Sequence, residues 1–315
     1  MSKNVYPSWI YPKSIAVATD LTDLECLLPH AKAQAEMSGA TLWLVHVIPA
    51  QVYVSPASGA YPFVPKEKAY LDAEAVLARE TAQLRKERLS SEYEIRRFFE
   101  AEQIAAFVRE KKIDRLIIGT SGKGKLGKLL LGSVAEELIR TIDIPVCTIG
   151  PHVLPPAKTS SHNILYATSL RHQAASSLRF ALDVTSASSR DLTILHVVEH
   201  TKSGSPEELE ARIKIGQVVS QTAINHVKPN IDLHVGDPVD VILSEAAVLR
   251  ADLIILGAVP ASNLTALVHT GVAYEVITQA TCPVLTLRET LCAGCRLHED
   301  LPTPGTATGI QQVKA

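Results

Sequence analysis

The residues most able to do chemistry crowd into one stretch, GTSGKGKLGKLLLGSVAEE, residues 119–137. Its glycines fit three different phosphate-binding patterns. Gly122, Gly124 and Gly127 spell G-x-G-x-x-G, the dinucleotide fingerprint. That motif belongs directly after the first strand of a βαβ unit, with an acid about 20 residues on at the end of the next strand. Here the glycines follow a late strand, and Asp143, the nearest candidate acid, precedes the next one. Gly119–Lys125 and Gly122–Lys128 each spell G-x-x-x-x-G-K, but leucine (Leu126, Leu129) stands where a Mg²⁺-binding hydroxyl belongs. The third pattern is wider: Gly119, Gly122, then Gly132-Ser133. Gly119 and Gly122 would let the backbone turn and approach a ribose or phosphate without a Cβ in the way. Gly132 and Ser133 would open a helix, whose free N–H groups and dipole favour an anion. Lys123, Lys125 and Lys128 lie in the excursion between them, either screening a triphosphate or as a solvated loop.

Other reactive residues carry less. Cys292 and Cys295 form C-x-x-C with His298 three residues on, but no second cluster completes a four-ligand site. They sit in a segment, 290–315, whose composition reads as a disordered tail. His46 and His196 stand at matching strand ends, which points to architecture. Cys26 and His30 are spaced i, i+4 with nothing beyond proximity to suggest a dyad. There is no G-x-S-x-G and no H-E-x-x-H, and no residue stands out as a general base for hydrolysis. Catalytic and metal roles are therefore left unassigned, and any hydrolytic activity is expected to be slow and incidental.

The elements that must position these residues come twice. SIAVATDL (14–21) returns as NILYATSL (163–170), TLWLVHVI (41–48) as LTILHVVE (192–199), IDRLIIG (113–119) as ADLIILG (251–257), and DIPVCTI (143–149) as TCPVLTL (281–287). From Asp114 to Ile149 the offset is a constant 138 residues. The chain of 315 residues thus reads as two domains, 1–150 and 163–289, joined by a Pro- and Ser-rich linker at 151–162. Short apolar runs alternate with amphipathic stretches, so each copy is expected to be a doubly wound α/β domain. Its mainly parallel five-stranded sheet would carry helices on both faces. Thr22/Glu25 and Ser133/Glu136 read as capping boxes, Gly39 as a helix stop, and Pro29 as a kink or a late helix start. Ligands of such sheets bind beyond the carboxyl ends of the strands, placing Asp20, Val47 and the glycine loop on the working edge. The insert 51–68 leaves the same edge as a lid or a surface loop. A net charge of −2 gives no long-range pull toward nucleic acid or anionic membrane. No apolar run reaches spanning length and the N-terminus lacks an apolar signal core, so a cytoplasmic protein is expected.

The pattern Gly119, Gly122, Gly132, Ser133, with VATD after the first strand, HVI after the second and DIPVCTIG as the last, resembles the universal stress protein family in its tandem two-domain form. The resemblance covers about 14–150 and 161–288. It implies ATP as ligand, with Mg²⁺ as an optional companion, and a non-enzymatic stress-response module. By the same resemblance Asp20, beside Thr19, would hydrogen-bond the nucleoside. Val47 would contact adenine through its backbone, and Ala18 and Ile118 would form an apolar wall. Gly119, Ser121 and Gly122 would lie near ribose and phosphate, with Gly132, Ser133 and Val134 on the phosphates. Ser133 would serve as a helix cap even without ligand. The resemblance further implies that the two last strands pair within the chain as a pseudo-dimer, and leaves a homodimer and a protein partner open.

The second copy replaces Asp20 by Ser169, Gly122 by Pro260 and Gly132-Ser133 by Thr270-Gly271, and loses all three lysines. Proline removes an N–H and fixes φ, both unfavourable for a phosphate nest. One nucleotide per chain, in the first domain, is therefore expected. The competing readings are a nucleotide-independent scaffold of the same fold and an oxidoreductase on a Rossmann-like sheet.

Overall fold

The computed structural model describes residues 10–55, 59–63, 67–120, 131–156, 163–170, 174–188, 190–199, 202, 204–222, 227–259 and 271–288. In the first half, β1 (Ser14–Ala18), α1 (Leu24–Ser38) and β2 (Thr41–Pro49) lead into a backbone hairpin, β3 (Gln51–Ser55) with β4 (Gly59–Phe63). There follow α2 (Glu67–Lys86), β5 (Ser91–Phe98), α3 (Glu100–Glu110), β6 (Arg115–Gly119), α4 (Ser133–Thr141) and β7 (Val146–Ile149). The second half repeats the scheme without the hairpin: β8 (Asn163–Ala167), α5 (Ala174–Ser188), β9 (Asp191–Val198), α6 (Pro206–Thr222) and β10 (Asn230–Val235). It closes with α7 (Pro238–Leu249), β11 (Leu253–Val259), α8 (Val272–Gln279) and β12 (Val284–Arg288).

The strands form one ten-stranded sheet in the order β10-β9-β8-β11-β12-β7-β6-β1-β2-β5. Every pair is parallel except the central one, where β12 meets β7 antiparallel. Each half is therefore a doubly wound domain, and the chain is a pseudo-dimer about its two last strands. At that junction Leu285 faces Cys147, Thr148 Oγ1 donates to the Val284 carbonyl (3.0 Å) and Thr286 Oγ1 to that of Val146 (3.3 Å). The matching pairs are related by the 138-residue offset, as a local two-fold axis requires.

Strand alternation explains the two cores. Ile15, Val17, Ile117 and Cys147 face one side with α1 and α2 residues such as Leu27 and Leu77. Ala16, Ala18, Leu116 and Ile118 face the other with Phe107 of α3 and Leu138 of α4. Both clusters continue across the junction into the second half, so the inner strands are covered on both faces and read as apolar runs, whereas the edge strands β5 and β10 keep exposed residues.

Three local expectations need correction. Thr22 and Glu25 make no capping box: α1 begins after Asp23 without a side-chain cap, and the Thr22 hydroxyl is drawn to Asp20 instead. Ser133 and Glu136 make none either, because Gly132 occupies the N-cap and Ser133 is already helical. The insert is neither a bare loop nor wholly irregular, since 51–55 and 59–63 pair as strands. Gly39 does stop α1, at φ 71° with its N–H on the Ala35 carbonyl (2.7 Å). The helix starts at Leu24 and runs through Pro29, which has no N–H and so gives up one intrahelical hydrogen bond.

Candidate functional site

In each half the strand order reverses between the first and fourth strands, the crevice where α/β sheets hold ligands. In the first half that crevice lies beyond Ala18 and Ile118, which sit side by side in register on β1 and β6. Both are buried, as is Val47 on the neighbouring β2.

Beyond β1 the chain makes a tight polar knot. The Thr19 N–H still pairs with the Val45 carbonyl (3.0 Å), and the Thr19 carbonyl meets His46 Nδ1 (2.8 Å). Thr19 Oγ1 accepts the Leu21 N–H (2.9 Å) and lies 2.5 Å from Asp23 Oδ1. Leu21 takes φ 75°, which turns the chain toward α1. Asp20 Oδ1 accepts from both the N–H (2.8 Å) and the hydroxyl (2.6 Å) of Thr22. Its other oxygen, Oδ2, is buried with no hydrogen-bond partner among the described residues. A buried acceptor left empty costs on the order of 1–3 kcal/mol, which a ligand N–H or O–H placed there would recover.

Gly119, at the end of β6, meets this knot. A Cβ at that position would stand 2.7 Å from Asp23 Oδ2, so the glycine leaves room for the Asp23 carboxylate against the end of β6. Burial, reinforced by the neighbouring Asp20 charge, raises the Asp23 carboxyl from 3.8 to about 6 against the Thr19 hydrogen bond. Past Gly119, the carbonyl of buried Thr120 accepts the Gly132 N–H (2.9 Å), so the chain that departs at 120 is pinned where it returns. Gly132, at φ −64° and ψ 147°, is the N-cap of α4 and contributes no side chain. The first N–H groups of α4, at exposed Ser133, half-buried Val134 and Ala135, lack the intrahelical acceptors that later turns have. The structure thus brings Ala18, Thr19, Asp20, Val47, Ile118, Gly119, Gly132, Ser133 and Val134 to one edge of the first half. Ser121, Gly122 and the three lysines lie outside the described residues, as do Cys292, Cys295 and His298.

Sequence reading missed Asp23 and Thr120. Asp23 looked like the first turn of a helix. Its only signal was the spacing of two acids in TDLTD, which puts both beside the same strand end. Thr120 acts through its backbone, which no residue type reveals.

The second half shows what belongs to the fold alone. Thr168 repeats Thr19: its Oγ1 accepts the Leu170 N–H (3.2 Å), its carbonyl meets His196 Nδ1 (2.7 Å), and Leu170 takes φ 55°. His46 and His196 are thus architectural, each tying the second strand of its half to the end of the first. Burial lowers the His196 pKa, which favours the neutral ring. In sequence, Ser169 and His172 correspond to Asp20 and Asp23 of the first half. A Cβ at Gly257 would find its nearest atom, the Ala167 carbonyl oxygen, at an ordinary 3.5 Å. Gly271 caps α8 one residue later than the constant offset predicts, leaving that helix shorter than α4. Cys26 and His30 are not a dyad: Cys26 is exposed, whereas His30 is buried, bonded to the Leu154 backbone and lowered in pKa by burial. Among the described residues no three His, Cys, Asp or Glu gather as metal ligands.

Comparison with known proteins agrees with this architecture. The chain is 27% identical over 139 residues to a universal stress protein of Methanocaldococcus jannaschii, covering 44% of this chain and 81% of that one. Its fold superposes on a universal stress protein structure from Archaeoglobus fulgidus with a TM-score of 0.67 at 18% identity, covering 88% and 98% of the two chains. A functionally unknown Pseudomonas aeruginosa protein superposes at 0.63 and 17% identity, covering 91% and 97%. The profile of the universal stress protein family matches residues 12–149 and again 160–288. With two matches filling most of its length, the chain belongs to the universal stress protein family and carries two of that family's domains in tandem.

Proposed function

We propose that the first domain, residues 1–150, binds one adenine nucleotide, ATP by preference, and that the chain acts as a non-enzymatic stress-response module read through its nucleotide state. The observation that carries this reading is Asp20 Oδ2, buried and unpartnered at the strand-order reversal. Uncapped helix N–H groups stand at the same edge behind Gly132. One end of the site asks for a donor, such as an adenine amino group or a ribose hydroxyl; the other suits phosphate. The second domain, 163–289, keeps the frame and lacks both acids, so one site per chain follows.

The test begins by denaturing the purified protein and identifying any released nucleotide, then titrating ATP and NADH against melting temperature. An ATP shift of several degrees is expected, lost in Asp20→Ala and in Gly132→Pro. The proline fits φ −64° but removes the N–H that pins the loop to Thr120. Absence of a shift with every adenine nucleotide would leave the nucleotide-independent scaffold as the function, and an NADH-selective shift would point to a redox role.

A further inference from the structure

Asp23 has no part in the proposed contacts, yet it joins the two halves of the crevice. Its Oδ1 is engaged by Thr19, the residue that also orders the Leu21 turn. Its Oδ2 lies 2.7 Å from where a Cβ of residue 119 would be. The second domain repeats the threonine, the turn, the histidine and the glycine but has no acid at this place. The carboxylate is therefore an addition specific to the half with the candidate site.

We propose that Asp23 is a positioning residue that takes up a proton from solvent when the phosphates of a nucleotide enter, so that the first domain binds ATP more tightly as the pH falls. This rests on the nucleotide reading above. The electrostatics are direct. Anionic phosphates drawn to the α4 N-terminus would approach an edge that already holds two carboxylates, and neutralising one of them relieves the repulsion. Asp20 is fixed by Thr22 and needed as an acceptor, which leaves Asp23. The proton would sit on Oδ2, because Oδ1 already accepts the Thr19 hydroxyl. The charged group that faces Asp23 among the described residues is Asp20. Beta-strand neighbours offer no compensating charge: β2 brings His46, whose Nδ1 is engaged by the Thr19 carbonyl, and β6 brings Gly119 and Thr120. The first turn of α1 adds Glu25 and Cys26, both exposed. Asp23 also starts within reach of neutral pH, at about 6 in the free protein.

The experiment is ATP binding from pH 5.5 to 8 by wild type and Asp23→Asn, with adenosine as the uncharged probe. Titration of ATP's own phosphate appears in both proteins and cancels in their ratio. A rise of about one unit in the Asp23 pKa on binding corresponds to roughly tenfold tighter binding below it than above it. That tenfold trend should appear in wild type, flatten in the variant and be absent for adenosine. Parallel wild-type and variant profiles would overturn the proposal, as would an equal trend with adenosine. Carboxyl ¹³C NMR of the wild-type protein adds a readout that does not depend on a stable variant: the Asp23 midpoint should lie near 6 without ligand and move upward under saturating ATP. A free-protein midpoint near 4 sinks the proton linkage and leaves nucleotide binding intact. A midpoint near 6 with no nucleotide bound at any pH sinks both.

Discussion

Asp23 shows how a single side chain can be unfavourable to the fold and still be placed with care. The folded chain holds its proton up to about pH 6, whereas an ordinary aspartate releases it near 3.8. Folding is therefore most favourable below the lower value, and that advantage is lost as the pH rises through the upper one. At neutral pH the ionised, half-buried carboxylate is a liability. Asp23→Asn, permanently neutral and nearly the same shape, should be more stable than wild type at pH 7 by roughly 1–3 kcal/mol. The gap should close below about pH 4, where wild type is protonated in both states. Urea unfolding at the two pH values checks this, and a variant no more stable at pH 7 would show that the carboxylate is well solvated. Asp20 differs. One of its oxygens is satisfied locally and the other is not, the signature of an acceptor waiting for a donor.

The two halves also differ at the end of their third strands. In the second half, Gly236 takes φ 155° and Asp237 caps α7 through the N–H groups of Val239 (2.9 Å) and Asp240 (3.2 Å), with Pro238 opening the helix. The equivalent residues of the first half are Phe98, Phe99 and Glu100. Phe98 adopts φ 91°, Phe99 sits at the N-cap without capping, and both rings are exposed. The first half thus also turns through a positive φ before its helix, but with a residue that resists it and no capping side chain. Replacing Phe98-Phe99 by Gly-Asp should relieve a strained backbone and supply a cap, for a net gain of about 1–2 kcal/mol after the lost ring contacts. A lower urea midpoint in the double variant would show that the aromatics make contacts worth more than the turn. Element boundaries elsewhere follow the sequence well, because unbroken apolar runs such as RLIIG and VCTI can only be strands buried on both faces. The capping boxes misled because S/T-x-x-E records only spacing. Which residue turns helical first is set by where the incoming strand end leaves the chain.

For the whole molecule, the antiparallel pair β7–β12 decides whether there are two domains or one sheet. Its centre, Cys147 against Leu285, is fully buried, and both cores run through it. Leu285→Arg would bury an unpaired charge on the local two-fold axis, at a cost above about 3 kcal/mol. It should split a single calorimetric transition into two as the halves uncouple. One transition merely shifted to lower temperature would show that other contacts couple them. The absence of a helix long and apolar enough to cross a membrane among the described residues fits the sheet, whose apolar runs are all too short to span one.

By itself the sequence determined the repeat, the α/β class, the parallel strands and the asymmetry between the halves. Each is written in residue type: β-branched runs, a constant offset, and glycines and acids present once and lost once. Even the glycine stretch of the opening could be narrowed to Gly119, Gly122 and Gly132, because only one of its patterns stands in the right place along the chain. Tertiary structure alone decided what those residues are for. That Gly119 makes room for a carboxylate, that Thr120 pins the return of the chain at Gly132, and that one oxygen of Asp20 is left unmatched all depend on atoms brought together from separate strands. A sequence spells residue types along one line, whereas burial and hydrogen-bond satisfaction exist only once the sheet has placed β1 beside β6.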